Sequence, residues 1–178
     1  MTASAPHTVL VTLTCPDRTG LIAALAGALF DLGANLGDTT FAVLGEAAEY
    51  SAIADLRGDV SAADVQAVLE ALPEVAGGRL SVVPFDMAAT HGPSARITHR
   101  VLLSGGDTPG LIARLAEVFV QYKANVVRLN SERLPAASET RYVVRAALNI
   151  PAEAETSCMA TVVNTAGELG LSCTWETA

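Results

Sequence analysis

The sequence predicts an α+β protein made of two ferredoxin-like βαββαβ copies, each a four-stranded antiparallel sheet with two helices on one face. Two observations carry that prediction. First, the chain repeats itself. Asp17-Arg18-Thr19-Gly20-Leu21-Ile22-Ala23-Ala24-Leu25-Ala26 aligns without a gap on Asp107-Thr108-Pro109-Gly110-Leu111-Ile112-Ala113-Arg114-Leu115-Ala116. Gly33-Ala34-Asn35-Leu36 aligns in the same register on Lys123-Ala124-Asn125-Val126, and Val11 and Leu13 on Val101 and Leu103. Solenoid units are shorter and more numerous, so this is a duplicated domain. Second, each copy switches between a period of two and a period near 3.6 in the same order. The expected boundaries are residues 7–84 and 96–176, joined by a linker over 85–95 whose most loop-like point is Gly92-Pro93-Ser94.

The elements follow in order. His7 to Thr14 alternates, with Val9, Val11 and Leu13 on one face, as a half-buried strand does. Cys15 to Gly20 is a turn. Leu21, Leu25, Leu29 and Ile22, Ala26, Phe30 recur every fourth residue and predict a helix with both rows facing inward. Gly33 stands where a left-handed helix end belongs. Leu36 to Leu44 and Tyr50 to Arg57 form a hairpin around Gly45-Glu46. Ser61, with Asp64 three residues on, caps a second helix that buries Val65, Val68, Leu69 and Leu72. Leu80, Val82 and Val83 make the last strand. In the second copy, Ile97 to Ser104 is a strand and Pro109 to Tyr122 a helix, with Leu111, Leu115, Phe119 and Ile112, Ala116, Val120 inward. Pro109 suits a first helical position. Val126 to Leu134 and Glu139 to Asn149 form a hairpin with a longer loop, Pro135 to Ser138. A helix near Glu153 to Leu169 buries Met159, Val162, Val163 and Ala166, and Leu171 to Trp175 closes the sheet.

Composition narrows the function. Of 178 residues, 51% are hydrophobic, too many for a disordered chain, and no apolar run is long enough to span a membrane. The net charge of −8, with Lys123 the single lysine, argues against direct nucleic-acid binding. The charge is uneven. Residues 1–90 hold three arginines and eleven acids, whereas residues 91–178 balance eight bases against eight acids. Three widely spaced cysteines make neither a disulfide framework nor a zinc site. The scattered histidines His7, His91 and His99 have no partners at metal-ligand spacing. The first residues, Met1 to Pro6, lack the regions of a secretory signal, so a reduced cytoplasmic setting is expected.

Asp17-Arg18-Thr19-Gly20-Leu21-Ile22, placed between strand and helix, followed by Gly33-Ala34-Asn35 and a hairpin, resembles the ACT domain. Asp107-Thr108-Pro109-Gly110-Leu111-Ile112 with Ala124-Asn125 repeats the pattern. Two such copies and nothing else resemble the glycine cleavage system transcriptional repressor group. The resemblance implies an effector amino acid bound where domains meet and action through a protein partner, either a transcription regulator or a metabolic enzyme, and edge strands that pair readily add the expectation of a homodimer. It implies ligand contacts at Asp17, Arg18, Thr19, Gly20, Leu21, Ile22 and Asn35, and in the second copy at Asp107, Gly110, Leu111, Ile112 and Asn125.

The residue chemistry stands beside that resemblance. A helix start leaves N–H groups without intrahelical partners and is mildly electropositive, so it receives a carboxylate. Asp17 accepts from an ammonium group, and Asn35 offers both a donor and an acceptor. Arg18 offers a carboxylate clamp that Thr108 lacks, which favours the first copy. Each residue also has a plain structural reading. The aspartates cap helices, the glycines allow close packing of the first turn, and the asparagines stabilise turns. Cys15, next to a helix start, has either an activated thiol or a packing role, and Gly105 at the aligned position does not require a thiol.

Arg96, Arg100, Arg128, Arg133, Arg141 and Arg145 fall on or beside strands of the second copy. They form either a solvated face paired with Glu132 and Glu139 or a docking surface for an acidic partner. No catalytic motif is present, and no cofactor, metal or enzymatic role is expected. The competing reading is an oligomerisation module without a working ligand site.

Overall fold

A computed structural model describes residues 6–135 and 141–178. The chain divides into two compact units, Met1–Ala89 and Thr90–Ala178. The first contains β1 (His7–Pro16), α1 (Leu21–Asp31), β2 (Asn35–Leu44), β3 (Ala47–Leu56), α2 (Ala62–Glu70) and β4 (Arg79–Pro84). The second contains β5 (His99–Gly106), α3 (Leu111–Gln121), β6 (Asn125–Leu134), β7 (Arg141–Asn149), α4 (Glu155–Glu168) and β8 (Leu171–Thr177). The sheet orders are β2-β3-β1-β4 and β6-β7-β5-β8, antiparallel throughout. This is the expected α+β, doubly ferredoxin-like fold. The hairpin-loop residues 136–138, and Glu139 with them, lie outside the described residues.

Alternation builds each core. Val9, Val11, Leu13 and Cys15 of β1 point under the helices and are buried, as are Tyr50, Ala52, Ala54 and Leu56 of β3. Val101 and Leu103 of β5 do the same beside Val144, Ala146 and Leu148 of β7. Leu21, Leu25 and Leu29 close the first core, and Leu111, Leu115, Val118 and Phe119 the second. The predicted second inward rows are corrected by the structure. Phe30 is 78% exposed, Ile22 47% and Val120 77%. Ala116 is also exposed, and only Ile112 of that row packs on its core. Those rows lie about 100° round the helix from the buried ones, beyond the stripe that a helix lying on a sheet can cover. Val68 and Val163 likewise sit at the margin of their cores and are partly exposed.

The helix ends follow local chemistry. Ser61 caps α2 and shares a reciprocal capping box with Asp64. Gly33 takes φ 71° after α1, and Lys123 occupies the matching place after α3 at φ 54°. Both ends carry the same paired bonds, Ala34 N–H to the Leu29 carbonyl and Gly33 N–H to Phe30, then Ala124 N–H to Phe119 and Lys123 N–H to Val120. Pro109 is not a first helical residue, because α3 begins at Leu111 after a left-handed Gly110.

Candidate functional site

The β1–α1 turn is shaped by one backbone conformation. Gly20 precedes α1 at φ 94°, and Gly110 precedes α3 at φ 82°. A Cβ added at either would meet nothing within 4 Å, so these glycines serve the left-handed backbone rather than close packing. Neither helix receives a side-chain cap, so Asp17 and Asp107 are not capping residues. The Leu21 N–H donates to the Arg18 carbonyl at 3.3 Å. Among the described residues, the N–H groups of Ile22 and Ala23 have no partner and remain available to an acceptor.

A depression of about 560 Å³ opens at this turn. Asp17, Arg18, Thr19, Gly20, Leu21 and Ile22 line it, together with Ala23, Ala26, Phe41 and Val43. Sequence reasoning missed the last four. For Phe41 and Val43 the signal is the period of two along β2, which puts both on the helix-bearing face at an edge strand. Asn35 does not join them. It stands in β2 opposite Asp55, at the far end of the 11-residue α1, roughly 16 Å along the helix axis. The Arg18 guanidinium is engaged elsewhere. It donates to the carbonyls of Pro73 (3.1 Å), Glu74 (2.8 Å) and Ala76 (2.8 Å), tying the α2–β4 connection to the turn.

The second copy is built differently at the same place. Asp107 Oδ2 accepts from both Nε and Nη2 of Arg133, each at 2.8 Å. By strand register Arg133, opposite Tyr142, corresponds to Val43, opposite Ala48. Where the first copy has an apolar wall, the second has a cation holding its own aspartate. Leu111 is buried and Ile112 packs on the core. The Asn125 side chain donates to the Ser94 carbonyl at 2.8 Å and so tethers the segment before β5.

Cys15 is a packing residue. Burial raises its thiol pKa, Arg18 pulls weakly the other way, and the nearby Asp17 raises it further. An activated thiol would need a lowered value. Its neighbour just before β4 explains the choice. A Cβ on Gly78 would lie 2.6 Å from the Cys15 Cβ, and one on Gly105 would lie 2.7 Å from Leu171 Cδ2. One copy places the bulk on its first strand and the other on its last. Among the described residues, no three His, Cys, Asp or Glu side chains cluster as a metal site, and no helix is long and apolar enough to cross a membrane.

The comparisons with known proteins agree with this architecture. The ACT domain model matches residues 7–78. Residues 7–78 thus match an ACT domain, and the second unit repeats its strand order. The glycine cleavage system transcriptional repressor of Escherichia coli (strain K12) is 28% identical over 141 residues, spanning 78% of this chain and 72% of that protein. A crystal structure of an unknown protein from Galdieria sulphuraria matches 97% of this chain and 99% of its own, with 20% identity and TM-score 0.77. A further crystal structure, provisionally named a glycine cleavage system transcriptional repressor, matches 98% and 99% with 13% identity and TM-score 0.68. At those identities the two structures speak for the fold.

Proposed function

We propose that this tandem ACT-domain chain is a non-catalytic regulatory protein that binds a small amino acid, glycine or one near it in size, at the first ACT turn. The observation that carries the reading is the 560 Å³ depression, lined both by Asp17 and by Ile22 and Ala23, whose N–H groups have no partner among the described residues. A ligand carboxylate accepts from the two N–H groups at the helix start. Its ammonium group donates to Asp17. Phe41 and Val43 form an apolar wall that favours a short side chain. Gly20 keeps the approach to the backbone open. The exposed Ile22 at this turn favours closure of the site by a second copy of the chain.

The kinship with a transcriptional repressor supports a role in the regulation of amino-acid metabolism. The net charge of −8 supports action through a protein partner, a transcription regulator or a metabolic enzyme, rather than direct contact with nucleic acid. In the second copy the Arg133–Asp107 pair competes with a ligand for the aspartate, so the first copy is the working site.

The test is a thermal-shift screen against the twenty amino acids, followed by titration of any hit into Asp17→Asn. A saturable stabilisation by one or two small amino acids, lost in the variant, is expected. Absence of stabilisation by every amino acid at millimolar concentration refutes the reading.

A further inference from the structure

The open face of the second sheet, turned away from α3 and α4, carries a feature that the amino-acid site does not use. The register aligns its side chains in rows. Arg100 of β5 lies opposite Ala147 of β7 on one side and Glu176 of β8 on the other, and Arg128 of β6 lies opposite the same Ala147. One row along, Arg145 lies between Leu102 and Asn130. These residues line a depression of about 550 Å³. Its floor is apolar at Leu102 and Ala147, and three guanidinium groups stand around it. The first sheet has nothing similar, since Leu10 and Ser51 occupy the register positions of Arg100 and Arg145.

The arginines are not all neutralised within the chain. Arg145 is paired with Glu132, which demonstrates that a carboxylate fits against this rim. Arg100 and Arg128 have no hydrogen bond or ion pair with a described residue, although Glu176 adjoins Arg100. Three like charges gathered over an apolar floor repel one another, and a bound anion relieves that repulsion. Arg100 and Arg128 are separated by a whole strand, about 10 Å between their backbones. A single carboxylate satisfies one guanidinium fork, whereas a compound with two anionic heads satisfies both.

We propose that this trough binds a small organic polyanion, a compound bearing two or more carboxylate or phosphate groups, at a site separate from the amino-acid turn.

The experiment is titration calorimetry of the full chain with citrate and, separately, inorganic pyrophosphate. Acetate and glycine at matched ionic strength are the single-headed controls. Saturable binding of citrate, of pyrophosphate or of both is expected, and which of them binds distinguishes carboxylate from phosphate chemistry. Arg128→Gln and Arg100→Gln should each weaken binding about tenfold, and Asp17→Asn should leave it unchanged. These arginines are exposed, and circular dichroism checks that the variants fold. Any one of three results overturns the proposal: no saturable binding of either probe at millimolar concentration, binding unchanged in both arginine variants, or an equal response to acetate. Self-association of the wild type at low salt, lost in the arginine variants while both probes remain silent, also overturns it and makes the face a protein-docking surface.

Discussion

Lys123 gives the sharpest quantitative test of the fold, because the duplication supplies its own control. At the end of α1 the left-handed position is Gly33, with φ 71°, and at the end of α3 it is Lys123, with φ 54° and the same pair of closing hydrogen bonds. A residue with a Cβ pays roughly 1–2 kcal/mol to enter this conformation. Glycine avoids that cost but loses roughly 0.5–1 kcal/mol more entropy on ordering. The net advantage of glycine at residue 123 is therefore about 0.5–1 kcal/mol. Replacing lysine also removes a cation that favours the helix C-terminus. The clean comparison is accordingly Lys123→Gly against Lys123→Ala, which differ only in the methyl group. Urea unfolding followed by circular dichroism measures the difference directly. In a melt it corresponds to a rise of about 2–8 °C if the second unit unfolds on its own, and to about half that if both units unfold together. An alanine variant as stable as the glycine variant would refute the argument that backbone strain sits at Lys123.

Three further outcomes are expected. Arg18→Ala, which unties the carbonyls of Pro73, Glu74 and Ala76, should lower stability by about 1–2 kcal/mol in chemical denaturation. Arg133→Ala should change stability by less than about 1 kcal/mol, because its ion pair is exposed. By freeing Asp107 it should also raise the calorimetric stoichiometry of the effector amino acid from one per chain towards two. The Ser61 hydrogen bonds lower the pKa of Asp64 from its ordinary value of 3.8, so the capping box contributes stability above that value and loses it as pH falls through the lower folded value. The melting difference between wild type and Ser61→Ala should accordingly shrink below pH 3.8.

The fold was legible because it is written twice and because its periods are clean. Val9, Val11 and Leu13 alternate, and Leu21, Leu25 and Leu29 recur at helical spacing, so strand and helix are both forced. The turn was legible through Gly20, although for its backbone conformation and not for packing. The outward row was not. Ile22, Ala26 and Phe30 are as apolar as the buried row, and hydrophobicity alone does not say which row meets the sheet. Arg18 illustrates a second limit. A sequence shows a cation but not its acceptors when these are backbone carbonyls, which every residue carries. Asn35 illustrates a third. Proximity in a motif spans a whole helix, which puts its two ends on opposite sides of the unit.

The divergence of the two copies bears on where a ligand can act. Both keep the glycine turn and the uncapped helix start, so both retain the backbone half of a carboxylate site. The difference that bears on the aspartate lies at one register position, Val43 in the first copy and Arg133 in the second. Arg133 is attached to the same sheet as Asp107. Its effective concentration at that carboxylate is set by the fold and reaches at least the millimolar range of a short tether. A free amino acid must displace it to place an ammonium group there, whereas at Asp17 it faces solvent alone. Under the proposed function, with the same backbone donors on offer, the first copy should respond at lower ligand concentration. The two turns become equivalent only when Arg133 is removed or its charge is screened. Added salt should therefore narrow the gap in affinity between the copies, because it weakens an exposed ion pair more than it weakens hydrogen bonds to the helix start.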